Sequence, residues 1–382
     1  MGVCHANSLS STSTVGAHID RELKWHSTKS ADMSNQVMQV GPSWRGLAAI
    51  KRLMVFGDSY SAVGAPIEAP RTAAHPLGVP FPGPGCFTDY DNARHRSRPN
   101  WVGHFITQYA PEPRYRDIAG IQAQYPGYTQ EQDPAYARDP LLVYDYARGG
   151  KTIPEVISQI EDQFLPRLGK WCRTQPAEGA GKGGDAAKVW TSENALFVTW
   201  VGINDCAFGS TREAREEAFQ QLFAAQDDLY QAGARNFVFI DVPHINRSPA
   251  GEFPISLDPT SSLKPLHIQL PSIHSLEDYS NHLPVPISHK DRSERYDEYN
   301  AMLAAHARRF ATAHPDATVL LFSSARTLDR VLDDPDIFGF PQGDAREPFS
   351  TIWTDQLHPT SAVHDVFAMD IADFLYGVGA SM

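Results

Sequence analysis

Cysteine is scarce. The 382-residue chain has four, Cys4, Cys86, Cys172 and Cys206, all far apart and with no C-x-x-C pair. That spacing argues against a structural zinc site, and so low a count does not demand a disulfide scaffold, although a bridge between two of them stays open. Basic charge is also short, with 33 Lys and Arg against 45 Asp and Glu and a net charge of −12. No basic stripe offers phosphates a footprint, which argues against nucleic acid as a partner, and an acidic surface repels anionic membranes and polyanions. A neutral small molecule is the easier substrate. No apolar run is long enough to span a bilayer, and the opening residues MGVCHANSLSSTSTVGAHIDRELKWHS lack the apolar centre of a signal peptide. MGVCHA begins like a myristoylation site, but Ala6 stands where Ser or Thr is wanted. Residues 1–43 are therefore expected to be a disordered leader before a single domain over 44–382, with a cytoplasmic location favoured. The one glycosylation triplet, Asn246-Arg247-Ser248, weighs little against that. There is no internal repeat and no HExxH. EGAGKGGDAAK fails as a phosphate-binding loop because Gly183 follows Lys182, so neither metal nor cofactor is expected.

Apolar residues, by contrast, make up 42% of the chain, enough for a large core. The runs RLMVFGDS, LLVYDYA, ALFVTWVG, NFVFIDVP and TVLLFSS predict five short buried strands. Helical patterns alternate with them: IPEVISQIEDQFL, REAREEAFQQLFAAQDDLYQAG, RYDEYNAMLAAHARRFATAH and, near the end, SAVHDVFAMDIADFLYGV. Alternation predicts a five-stranded parallel sheet between two helical layers, an α/β/α sandwich whose ligand crevice lies at the carboxyl ends of the strands. Two long insertions interrupt it, one over roughly Ile67–Pro140 and one over roughly His244–Arg292. Both leave the same sheet edge as Ser59, where they are candidate walls of a pocket.

Four strand-end segments carry residues of hydrolytic chemistry. MVFGDSYSAVG presents Ser59 just past the first strand, and TDQLHPTSA offers Asp355 and His358 three residues apart. A serine hydroxyl becomes nucleophilic when a histidine takes its proton, and an aspartate on the same tight turn fixes the imidazole tautomer. VGIND puts Asn204 where its amide can meet an oxyanion, and ARGGKT puts the Gly150 N–H near a helix start. Each segment alone equally suits an ordinary turn or cap. Their succession along one sheet edge is what favours chemistry. Phe87, Tyr90 and Trp101 are aromatics that could stack on a sugar, although packing is the stronger reading for each, and Cys206 reads as a small buried filler.

On FGDSYS, ARGGKT, VGIND and DQLHP, in that order, the chain resembles the SGNH or GDSL-type hydrolase superfamily over roughly Trp44–Leu375. The resemblance implies a flavodoxin-like fold and metal-free hydrolysis of esters or thioesters. By position it implies Ser59 as nucleophile, His358 as base and Asp355 as its orienter, with Ser59, Gly150 and Asn204 forming the oxyanion hole. Two departures stand out: Tyr60 replaces the Leu of the name motif, and Asp145 replaces a frequent Asn, which leaves Gly149 as a rival to Gly150. IKRLMVFGDSYS, TWVGINDCAFG, DVPHINRSP and LHPTSAVHDVFAMDIADFL resemble more closely the fungal acetylesterases of carbohydrate esterase family 16. That implies short acyl esters of sugars such as xylo-oligosaccharides as substrates, handled by a monomer, although such relatives are usually secreted. A lipase or phospholipase, an acyltransferase and a non-catalytic ligand-binding relative are the alternatives on the same fold.

Overall fold

The structure is a computed structural model that describes residues 34–92, 94–169, 190–208, 211–251 and 289–381. Its centre is a sheet whose inner strands are mostly apolar. Strands β1 (Gln36–Gln39), β2 (Arg52–Gly57), β3 (Leu142–Asp145), β4 (Ala195–Trp200), β5 (Asn236–Ile240) and β6 (Thr318–Phe322) lie in the order β1-β6-β5-β4-β2-β3. Every residue of β4, β5 and β6 is buried. A strand buried on both faces must be covered by helices on both, and parallel pairing with helical crossovers supplies that cover. The β2 to β6 pairs are all parallel.

The expected sheet had five strands; there are six. Gln36–Gln39 pairs antiparallel with β6, inside the stretch read as a disordered leader, so the folded part begins earlier than residue 44. Its polar, half-exposed residues show no buried-strand pattern, which is why hydrophobicity alone does not reveal an edge strand. Residues 1–33 lie outside the described residues, as do the segment EGAGKGGDAAK and most of the second insertion, residues 252–288.

Two helix groups cover the sheet. In one, α2 (Ile153–Ser158), α4 (Arg212–Gln231) and α5 (His289–Ala313) pack in succession; in the other, α1 (Trp101–His104) and α6 (Ser324–Asp333) pack on α7 (Ser361–Gly377). Between β4 and α4 lies the short α3 (Ile203–Phe208). No described helix is long and apolar enough to cross a membrane. The first insertion is less of a loop than expected. Its WVGHFITQY run forms α1 and a following π-helical turn, Phe105–Tyr109, with Trp101, Val102, Phe105 and Ile106 buried. Asn100 caps it by accepting from the Val102 and Gly103 N–H groups.

One tie in the scaffold is titratable. His244, just past β5, is gripped by Asp329 of α6 at Nδ1 (2.8 Å) and Asp297 of α5 at Nε2 (3.2 Å). Burial disfavours its charge, but the two carboxylates outweigh that and raise it to about 9. The folded chain thus holds this proton more tightly than the unfolded one, whose imidazole titrates near 6.5. The stabilisation is complete below pH 6.5 and is lost as pH rises through about 9. We expect His244→Gln to lower the melting temperature at pH 6, with the gap from wild type closing by pH 10. A gap that widens towards alkaline pH would contradict the ion-pair assignment.

Candidate active site

The sheet order decides what can meet. The chain leaves β2 for β3 on one side and returns past it to β4 on the other, so the carboxyl end of β2 lies at the point where the winding reverses. Crevices of open α/β sheets form at such points. Ser59 sits two residues beyond β2, with the loops after β3 and β4 on either side. Beyond the end of β3 at Asp145, the Gly57 carbonyl still accepts the Arg148 N–H at 3.2 Å. The buried amide of Gln159 joins it there, accepting from the Gly57 N–H and donating to the Gly57 carbonyl, both at 2.9 Å. Gln159 opens a π-helical turn, Gln159–Phe164, a local widening that often marks functional regions.

His358 comes from the other end of the chain, in a tight hairpin closed by the Trp353–Pro359 bridge and the Thr354 N–H to His358 carbonyl bond. Its Nε2 accepts from the Ser59 hydroxyl at 3.0 Å, and its Nδ1–H donates to Asp355 Oδ2 at 2.8 Å. Asp355 Oδ1 also accepts the backbone N–H groups of Leu357 and His358. Burial works against the Asp355 charge, yet these hydrogen bonds and the imidazole hold its pKa below the ordinary carboxylate value. Asp355 is therefore an anion at neutral pH, which fixes the proton of His358 on Nδ1. Tyr60, expected only to pack, does more: its buried hydroxyl donates to the Leu357 carbonyl at 2.8 Å, tying the serine turn to the histidine turn.

The other two predicted segments lock to each other. Asn204 Nδ2 donates to the Lys151 carbonyl at 2.9 Å, and Asp205 Oδ1 accepts the Ile153 N–H at 3.0 Å. An amide carries two hydrogens, so Asn204 retains one beyond the Lys151 bond. Gly150 has φ 73°, and neither its N–H nor that of Ser59 has a partner among the described residues. Gly149 plays a different part from Gly150: it faces a phenyl ring, and a Cβ there would lie 2.3 Å from Phe87 Cζ. Asp145 braces the floor by accepting from Val63 N–H (2.6 Å) and Ala147 N–H (2.8 Å), while burial raises it to about 7. Asp58 and Asp205 are buried nearby and raised by burial to about 7 and about 6.

Four segments distant in sequence thus meet at one crevice. No protein-family model matches the chain. A curated relative, the acetylesterase of Thermothelomyces thermophilus, is 25% identical over 339 residues, covering 85% of this chain and 87% of that protein. Among solved structures, a variant of Axe2, an acetyl xylan esterase from Geobacillus stearothermophilus, covers 87% of this chain and 99% of its own at 12% identity and TM-score 0.41. A member of the lipolytic G-D-S-L family from Veillonella parvula covers 84% of this chain and 96% of its own at 11% identity and TM-score 0.36. The chain is similar to that acetylesterase over most of both lengths.

Some candidates lie away from the crevice. Trp101, read as a sugar-stacking candidate, is buried and donates its indole N–H to Ser61 Oγ at 3.0 Å, so it cannot meet a sugar. Phe87 and Tyr90 are exposed by 38% and 52%, and only Phe87 touches the site, stacked on the His358 ring. Cys86 and Cys206 are buried free thiols, with burial pushing Cys86 up to about 12 and Cys206 higher still, which leaves neither reactive. Asn246 of the glycosylation triplet is buried as well.

The structure also holds a second Ser–His–Asp line that sequence reading missed. Ser361 Oγ lies 2.8 Å from His104 Nε2, and His104 Nδ1 lies 3.2 Å from Asp365. The two lines differ in where the hydroxyl proton goes. Ser361 donates it to the Pro99 carbonyl at 2.6 Å, and its two side-chain partners, His104 and Pro99, fasten α1 to the start of α7. With its proton engaged and its oxygen buried, Ser361 is structural.

Proposed function

We propose that this protein is a serine esterase that removes short acyl groups, acetyl above all, from carbohydrates such as xylo-oligosaccharides. The observation that carries the reading is the line from Ser59 through His358 to Asp355, beside two backbone N–H groups without partners among the described residues. In the forward step Ser59 Oγ attacks the ester carbonyl while its proton passes to His358 Nε2. The oxyanion is met by the Ser59 and Gly150 N–H groups and the remaining Asn204 amide hydrogen. Collapse breaks the bond to the alcohol oxygen, which takes the proton from His358. Water then attacks the acyl-enzyme by the same path and releases the acid. Asp355 holds the imidazole and stabilises its charge throughout.

The acetylesterase relative supports the acyl length, and the neutral character of sugars suits an acidic chain. The test is hydrolysis of p-nitrophenyl acetate, butyrate and octanoate with a chelator present, followed by acetate release from acetylated xylo-oligosaccharides. Acetate is expected to be the fastest ester. Octanoate fastest would favour the lipase reading, and loss of activity in chelator would remove the metal-free mechanism.

A further inference from the structure

Phe87 is held at both edges of its ring. One face stacks on His358, with centroids 5.2 Å apart and planes at 30°. Another edge fills the space beside Gly149, where even a methyl group would collide with it. The backbone on either side is fastened too. Before it, the Gly85 N–H donates to the Val63 carbonyl at 3.2 Å and the Cys86 thiol donates to the Pro82 carbonyl at 3.3 Å. After it, Asp89 accepts the Ser361 N–H at 2.7 Å and pairs with Arg98 at 2.9 Å. A side chain 38% exposed would ordinarily swing aside for a ligand; this one is braced against doing so.

We infer that Phe87 is the specificity-determining wall of the acyl side, limiting the acyl chain to about the length of acetate; this rests on Ser59 being the nucleophile as proposed above. An ester carbonyl bound at Ser59 sends its oxygen towards the Ser59 and Gly150 N–H groups. Its alcohol oxygen must approach His358 Nε2 to receive the proton. One substituent then faces the ring that bridges His358 and the Gly149 backbone, and the other faces solvent. A braced ring admits only the smaller of the two. In an acetylated sugar the smaller one is the acetyl methyl, so the sugar takes the open side.

The experiment measures kcat/KM of wild type, Phe87→Ala and Phe87→Leu on p-nitrophenyl acetate, butyrate, hexanoate and octanoate, and on acetates of small and large alcohols, with Ser59→Ala as control. A methylene in an apolar pocket is worth roughly 10- to 200-fold in discrimination. The ratio of butyrate to acetate is therefore expected to rise about tenfold or more in Phe87→Ala, and by an intermediate factor in Phe87→Leu. The preference among alcohols should stay that of wild type. A uniform fall across all acyl lengths would make the ring a mere support for His358 and overturn the inference. A shift that follows the alcohol alone would overturn it too. With Ser59→Ala inert, an unchanged acyl profile removes the wall and leaves the esterase reading standing; with Ser59→Ala active, both fall.

Discussion

Ser59→Ala is expected to lower kcat on p-nitrophenyl acetate by roughly 10⁴-fold or more, while the protein stays folded. The hydroxyl is nearly buried, and its side-chain partner is His358 Nε2. Removing it deletes one hydrogen bond, worth about 1 kcal/mol, and leaves no charge stranded, because His358 keeps Asp355. The chemistry has no comparable substitute, since the remaining donors stabilise an oxyanion that no longer forms on the enzyme. His358→Ala should cost as much, and the double variant little more, because the two act as one unit. Steady-state rates and melting curves on the same preparations check this. Losses that multiply in the double variant would mean that the two side chains do not share a step.

Gly202→Ala should cost about 3–6 kcal/mol of stability. Gly202 closes β4 at φ 129°, a conformation that side chains rarely adopt, and its Cβ would lie 2.2 Å from Tyr299 Cζ. Tyr299 cannot retreat: it is fully buried, stacks near Phe219 and donates its hydroxyl to the Val201 carbonyl at 2.9 Å. Gly339 is the matched control. It too has a positive φ, 80°, but nothing lies within 4 Å of its Cβ position, so Gly339→Ala should cost only about 1–2 kcal/mol. Urea unfolding of both variants separates backbone strain from collision. Equal midpoints would show that the Tyr299 contact yields freely. The variant also bears on the site, because Asn204 hangs from the same turn.

The parallel core was legible because β2 to β6 are continuous apolar runs, and burial on both faces leaves that mark on a sequence. The edge strand Gln36–Gln39 was not, since it is held by backbone pairing with β6 and its side chains say little. The same contrast holds in the crevice. Ser59, Gly150, Asn204, Asp355 and His358 are picked out by type and spacing, because the chemistry proposed for them restricts which residues could serve. Gln159 and Tyr60 are not, for each acts through one hydrogen bond to a distant backbone group that only the folded chain brings near. Trp101 follows its packing reading: with Val102, Phe105 and Ile106 it lies on the covered face of α1 and the turn after it.

Ser59 and His358 are 299 positions apart, and what joins their turns directly is a tyrosine hydroxyl. At typical ribosomal speeds the interval between making one and making the other is roughly 15–60 s. Throughout it the nascent chain carries Ser59 without the histidine that the folded chain sets 3.0 Å from its hydroxyl. A product that stops before His358 never acquires that partner, so on the roles proposed above it should release no acid from an ester.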